Sequence, residues 1–461
     1  MSSDNLEEAP AVAPTEALEA VHDDALDVPA VDHVQNLYAA EAEYEKFVWD
    51  NLRRNYAGHY LHGMLGMTGF RLFNTPTFLP AYLHTLTGSS FLIGLGMGLQ
   101  QAGGVISPIF GAAQIEHRKK VLPAATLIGS GMRLPILGVA LAGWLLSGSP
   151  QLLLWTIIGL LFVFGIFSGA QGVAFQVLLA KVVPISRRGR LQAWRNVTGG
   201  IVAVALAWAA GKYLVGQNYL GYGYPLTFLL AFVLTSAGLT ALRLLMREPI
   251  PPTTRPRATV RERIKDFPAL IMGDRNFMWF MVAQVLSSGG TIALTFYTLS
   301  SIQKLHVTGE TIGLFTSANL AGDIATNLIW GYLGDKFGFR VTFIGALILW
   351  VIAGVLMIFA GTVPAFMIAF FLVGAAQSGQ QTSSSTMVLE FGTRDDMPMR
   401  LALTQTAQGS MRALGPLIGG VIGQFAGYVP VFGLAIVFQI IALAVLVGVV
   451  KEPRTARMAA V

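Results

Sequence analysis

Residues 309–340 read GETIGLFTSANLAGDIATNLIWGYLGDKFGFR: a run of small and apolar side chains, interrupted in its middle by Asp323 and closed by a cluster of charge at Asp335, Lys336 and Arg340. The hydrocarbon core of a bilayer is about 30 Å thick and takes roughly 20 helical residues to cross. Residues 309–333 are therefore read as one membrane span whose basic end stops at the surface. The same reading repeats in both directions and yields twelve spans, at 57–84, 89–113, 121–147, 152–180, 192–214, 225–246, 277–302, 309–333, 341–361, 364–390, 401–427 and 429–450.

Composition agrees with a chain whose main solvent is lipid. Of 461 residues 54% are hydrophobic and only 12% charged, whereas a soluble domain carries roughly 25% charge. The 51 glycines suit close helix contacts in a membrane. With no cysteine, no disulfide, thiolate nucleophile or cysteine-bound metal enters, and no redox compartment is indicated.

Charge is distributed unevenly. Residues 1–45 contain twelve acids, from Asp4 to Glu45, and no Lys or Arg, which leaves thirteen acids against all 31 bases and a net +18 on residues 46–461. Residues 1–32, rich in Ala, Pro, Asp and Glu, are read as a disordered acidic tail, and 33–56 as an amphipathic pre-membrane helix. The opening SSDNLEEAP lacks the basic start of a secretory signal. Lys and Arg gather in alternate connections: Lys46, Arg53 and Arg54; Arg118 to Lys120; Lys181 to Arg195; 247–276; Lys336 and Arg340; Arg394 and Arg400; and Lys451 onward. The opposite side has only Lys212 and Lys304. Both termini (1–32 and 451–461) and the 247–276 linker are thus expected in the cytoplasm, with the chain multi-pass in the cell's inner membrane.

The proline-broken linker separates 57–246 from 277–450, and the two parts echo one another. Ile93-Gly94-Leu95 and Ala102-Gly103 recur 219 residues later as Ile312-Gly313-Leu314 and Ala321-Gly322, and Thr87-Gly88 has a counterpart in Thr308-Gly309. Ala170-Gln171 parallels Ala376-Gln377. Ordered repeats of this kind mark carriers built from duplicated units.

At Gly331, Leu333, Asp335, Gly338 and Arg340 the segment GYLGDKFGFR resembles the signature loop of the major facilitator superfamily. Its first-half counterpart, GAAQIEHRKK, keeps Gly111 but has Ile115 at the family's aspartate, with Glu116 one position away. The resemblance covers about 57–450 and implies an all-α polytopic membrane protein with twelve transmembrane helices in two six-helix bundles around a central cavity. It further implies a gate in which Asp335 meets the amino end of span five, beside Arg190 or Arg195, while Arg340 reaches Glu390. GPLIGG at 415–420 resembles the family's antiporter motif but lies in span eleven instead of five, so it is read as small residues for close packing.

Charges in mid-membrane cost about 3 kcal/mol each on insertion scales unless they face water or partners. Arg71, Arg133, Asp323 and Arg412 lie there, and Asp323 is the one acid in the middle of any span. By the resemblance spans one, eight and eleven border the cavity, so Arg71, Asp323 and Arg412 are expected to line a solute pathway with amides such as Asn74, Gln377 and Gln381. The surplus of cations suits an anionic or carboxylate-bearing solute, and Asp323 is the economical carrier of a coupling proton. No HExxH pair or Walker loop occurs among the residues, which disfavours a metalloenzyme or an ATP-driven pump. The expectation is a monomeric, cofactor-free secondary carrier of a small organic solute, probed against two alternatives: efflux of amphipathic drugs, and a non-transporting receptor or scaffold. Nucleic acid is not expected as a partner.

Overall fold

The computed structural model describes residues 28–115, 118–252, 271–305, 307–391 and 397–453. Glu116, most of the acidic tail, the centre of the linker and the last residues lie outside these segments. Among the described residues all regular structure is helical.

A leading helix α1 (Val28–Asp50) precedes span one, which is built from α2 (Leu52–Asn74) and α3 (Phe78–Leu86). Spans two, three and four are α4 (Ser90–Ile115), α5 (Leu122–Leu145) and α6 (Pro150–Val182); span five is α7 (Ile185–Ala209), continued by a π-helical turn, Ala210–Gly216; span six is α8 (Gly223–Leu245). Span seven is α9 (Arg275–Ser288), a 3-10 turn (Gly289–Ile292) and α10 (Leu294–Lys304). Spans eight to twelve are α11 (Gly309–Phe337), α12 (Phe339–Phe359), α13 (Val363–Leu389), α14 (Met397–Ala426) and α15 (Tyr428–Gly448). Among the described residues eight helices are long and apolar enough to cross a membrane, and those holding Arg71, Asp323 and Arg412 are not among them. Polar side chains lower hydropathy where a helix faces the interior of a bundle and not lipid.

Two differences from the sequence reading have local causes. The leading helix ends at Asp50, so 52–56 belong to span one; Asn51 leaves helical geometry while its amide donates to the Phe47 carbonyl at 2.9 Å. Span one is also not continuous over 57–84. Thr75 precedes Pro76 and is driven to extended backbone, with ψ at 148°, because the proline ring crowds a helical predecessor. The freed Pro76 carbonyl accepts from Thr298 Oγ1 of span seven at 2.5 Å. The helix is thus interrupted beside the centre of the molecule, as in carriers that use broken helices to expose backbone at their sites.

The repeated Ala-Gly pairs have a packing reason. A Cβ on Gly103 would meet the Phe162 carbonyl and Ile166 amide of span four, and one on Gly322 would run into the Phe371 carbonyl of span ten. Each half therefore crosses its second and fourth spans backbone to backbone at equivalent points. Glycine also seals the contact between halves: Gly94 and Gly98 of span two against Pro416 and Ala413 of span eleven, and Gly211 and Gly216 of span five against Gly313 and Gly309 of span eight. In GPLIGG, Gly415 and Gly419 lie against Ile292, and Gly420 against Ser90 and Phe91. That motif is close packing.

One face of the bundle holds the entry to span one and the ends of spans four and six. There Tyr44 Oη donates to the Lys181 carbonyl at 3.0 Å, and Arg54 donates to the carbonyls of Leu244 and Leu245. Asn276 and Lys451 exchange hydrogen bonds on the other half. This is the terminal face; the opposite end is the far face. On the terminal face Glu248, whose side chain is 3% exposed, accepts from the Val121 and Leu122 amides at 2.6 and 2.7 Å and pairs with Lys181 at 3.1 Å. A carboxylate capping free amides at a helix start gains both hydrogen bonds and the dipole. Glu248→Gln is expected to cost about 2 kcal/mol, read as a lower thermal unfolding midpoint in detergent with solute affinity unchanged; an unmoved midpoint would remove the cap from the account.

Candidate functional site

The breaks in spans one and seven, and the crossing of spans five and eight, meet at the middle of the molecule. Arg71 sits three residues before the end of α2, and its Nη2 donates to Asp323 Oδ2 of span eight at 2.8 Å. The two side chains are only 17% and 31% exposed. Arg71 Nη1 also approaches the Asn196 carbonyl of span five at 3.5 Å, and Gly200 of that span leaves room for both Arg71 and Ile324. The pair thus joins the two halves. Each charge is the partner the other needs at mid-depth.

Polar contacts between the halves continue from this pair toward the far face. Thr77 and Thr316 hydroxyls are 2.7 Å apart, Ser317 Oγ donates to the Val204 carbonyl at 2.9 Å, and Ser90 Oγ and Tyr428 Oη are 3.0 Å apart. Toward the terminal face Asn327 and Gln381 are exposed and Gln377 is half-buried. Asn74 is exposed as well, its Oδ1 accepting from the buried Gln100 at 2.8 Å. Polar side chains at such depth cost less where they face water than where they face lipid.

Arg412 belongs to a different group. Its Nη2 donates to Gln408 Oε1 at 2.8 Å, and Gln408 Nε2 in turn donates to Gln284 Oε1 and Ser384 Oγ. Spans seven, ten and eleven are thereby laced together, and Arg412 makes no contact with Asp323 there. Arg133 is buried within the first half, donating to the carbonyls of Thr235 and Gly129 and to Gln171 Oε1, with Phe70 under its guanidinium.

In the signature loop Gly338 has φ of 90°, and a Cβ there would collide with Glu452, so only glycine turns the chain between spans eight and nine without strain. Asp335 is exposed, Gly331 has open space around it, and Gly111 packs on Ala170. Arg340 donates to the Leu446 and Val447 carbonyls at 3.1 and 2.8 Å. It therefore ties the loop to the end of span twelve, not to Glu390. Arg195 lies along Gly63 of span one and donates to Gln192.

Residues 61–304 and 285–460 match the Major Facilitator Superfamily. The chain belongs to this superfamily. It is 25% identical over 392 residues to the multidrug resistance protein MdtG of Salmonella paratyphi C, covering 83% of this chain and 92% of that protein. Among solved structures it shares the fold of the nucleoside transporter NupG, with a TM-score of 0.61 at 12% identity over 85% of this chain and 97% of that one. The D-xylose-proton symporter gives 0.64 at 14% identity over 88% and 98%. The chain is a transporter of the superfamily, with twelve helices in two bundles around a central cavity.

The sequence reading missed one group of residues. His59 and His62 stand three apart at the entry to span one with no acid nearby in sequence, so residue order alone gives them no role. Their surroundings come from spans four and five, and only the i, i+3 spacing signalled a shared face.

Proposed function

We propose that this member of the superfamily is a proton-coupled secondary carrier of a small organic solute bearing an anionic group. The observation that supports this is the ion pair between Arg71 and Asp323, which crosses the two halves at mid-depth. A proton on Asp323 removes the partner of Arg71 and frees the guanidinium for a carboxylate or similar anion; release of the solute restores the pair. Proton and solute then each take one side of the same linkage between the halves, so that binding of one favours binding of the other, which is what coupling requires.

In this reading the terminal face, with its surplus of Lys and Arg, is cytoplasmic, both termini and the 247–276 linker lie there, and the carrier works as a monomer in the inner membrane. The contacts sealed by glycine on the far face and the polar cleft toward the terminal face correspond to an inward-facing state. Asp335 acts when that cleft closes, by meeting the free amides at the start of span five. Asp335→Asn is expected to slow turnover roughly tenfold, the loss of about 1.4 kcal/mol of gate stabilisation, and to raise labelling from the terminal face; unchanged turnover and labelling would count against the gate. Efflux of amphipathic compounds is a second reading, favoured by the likeness to MdtG over most of both chains. The direct test is transport in proteoliposomes under an imposed pH gradient, with organic acids, nucleosides, sugars and hydrophobic cations as solutes. Accumulation of an organic acid that collapses with the gradient supports the reading, and gradient-independent movement of every solute refutes it.

A further inference from the structure

A cavity with polar and aromatic lining lies inside the first half, between spans one, four and five. It measures about 190 Å³, and its lining includes His59, His62, Arg195 and Gln192 together with Phe70 and Phe175. His59 and His62 are 1% and 6% exposed. Both ring nitrogens of His59, Nδ1 of His62 and Nε of Arg195 are buried and find no protein partner. Buried polar atoms without partners are rare in folded proteins and call for an explanation.

The charge around the cavity is one-sided. Arg133 reaches it through Gln171, to which it donates at 3.1 Å, and Arg195 forms part of its wall. Among the described residues neither guanidinium is ion-paired with a carboxylate. Arg133 is buried and Arg195 half-buried with a buried Nε; two cations and two imidazoles with no acid in the lining favour an anion that offsets their desolvation.

The second half shows what the same position looks like when the protein fills it. Spans seven, ten and eleven correspond to spans one, four and five, and there Gln284, Ser384, Gln408 and Arg412 satisfy one another: Ser384 Oγ donates to Gln284 Oε1 at 2.7 Å and Gln408 Nε2 to Ser384 Oγ at 2.9 Å. One half closes its polar centre with its own side chains, and the other leaves donors aimed into a cavity.

We propose that this cavity is a binding site for a small organic carboxylate, distinct from the Arg71–Asp323 pair. The oxyanion is held by Arg195, His59 and His62. The apolar body lies against the aromatic wall, where His62 stacks on Phe175 with ring centroids 4.5 Å apart. The volume equals that of about six waters at roughly 30 Å³ each, enough for a compact acid with one ring. The proposal shares with the functional reading only the anionic class of ligand and does not depend on proton coupling.

The test is isothermal titration calorimetry of the purified full chain with benzoate, benzamide and inorganic phosphate. Benzoate is expected to bind at least about tenfold more tightly than its neutral isostere benzamide, the scale of one charge-assisted hydrogen bond. Arg195→Gln should weaken benzoate at least about tenfold and Arg71→Gln less than about threefold. If Arg195→Gln does not yield folded protein, His59→Gln gives the same reading. Equal affinity for benzoate and benzamide, no heat with any probe, or phosphate outcompeting benzoate would overturn the assignment. Binding lost in Arg71→Gln but kept in Arg195→Gln would also overturn it, leaving the central site as the sole anion site and the functional reading intact. Binding sensitive to Arg195 without proton-driven transport would have the opposite consequence.

Discussion

Asp323→Asn is expected to abolish solute accumulation driven by a pH gradient while preserving exchange of labelled for unlabelled solute. Asn keeps an oxygen that can accept from Arg71, as Asp323 does at 2.8 Å, but it cannot release a proton, so the step that links proton movement to solute is lost. Arg71→Gln should remove saturable transport in both assays, because no other guanidinium contacts Asp323 across the halves in the described residues. Each single change has a stability cost, since a lone charge at mid-depth is penalised by about 3 kcal/mol. The double variant Arg71→Gln, Asp323→Asn carries no net charge there and should unfold at a higher temperature than Arg71→Gln alone. Proton-driven uptake and counterflow in the same proteoliposomes separate the outcomes. Accumulation persisting in Asp323→Asn would sink the coupling role, and counterflow lost together with accumulation would make the pair a structural clasp.

The second large effect is expected where the halves touch without side chains. Gly211 of span five faces Gly313 of span eight so closely that a Cβ on Gly211 would lie 2.5 Å from the Gly313 Cα. Backbone cannot yield as a flexible side chain can, and overpacking of this kind typically costs 1–3 kcal/mol in a core, roughly 5- to 150-fold in the population of the closed form. Gly211→Leu should therefore hold the far side open and reduce transport by at least about tenfold. Gly159→Leu is the control, because nothing lies within 4 Å of a Cβ at that position. The chain has no cysteine, so a single Thr77→Cys, at a residue fully buried in the closed contact, reports access from the far side. Labelling that rises with Gly211→Leu and stays low with Gly159→Leu is the expected result; equal labelling in both would remove the glycine seal from the mechanism.

The membrane class, the number of spans and the duplication were legible in residue order because each rests on a local property. Hydrophobic length sets whether a helix crosses a bilayer, and the spacing of small residues sets where two backbones can cross. The repeated Ala102-Gly103 and Ala321-Gly322 pairs are such a local signature, and the structure shows the crossings that require them. The signature at Gly331 to Arg340 likewise identified the superfamily. Mid-membrane Arg71 and Asp323 stood out by energetic cost alone, since a charge in hydrocarbon needs a partner wherever that partner comes from.

Which partner, however, depended on the packing of segments far apart in sequence. Arg71 and Asp323 are 252 residues apart and meet because spans one and eight cross at the centre, while Arg412, equally central by residue count, turned to Gln408 on its own helix. His59 and His62 gained meaning only when span five brought Arg195 beside them. Depth and polarity are one-dimensional and can be read along a chain, whereas the azimuth of each helix, which decides whether two charges face one another, lipid or a cavity, is set by the simultaneous packing of all twelve spans.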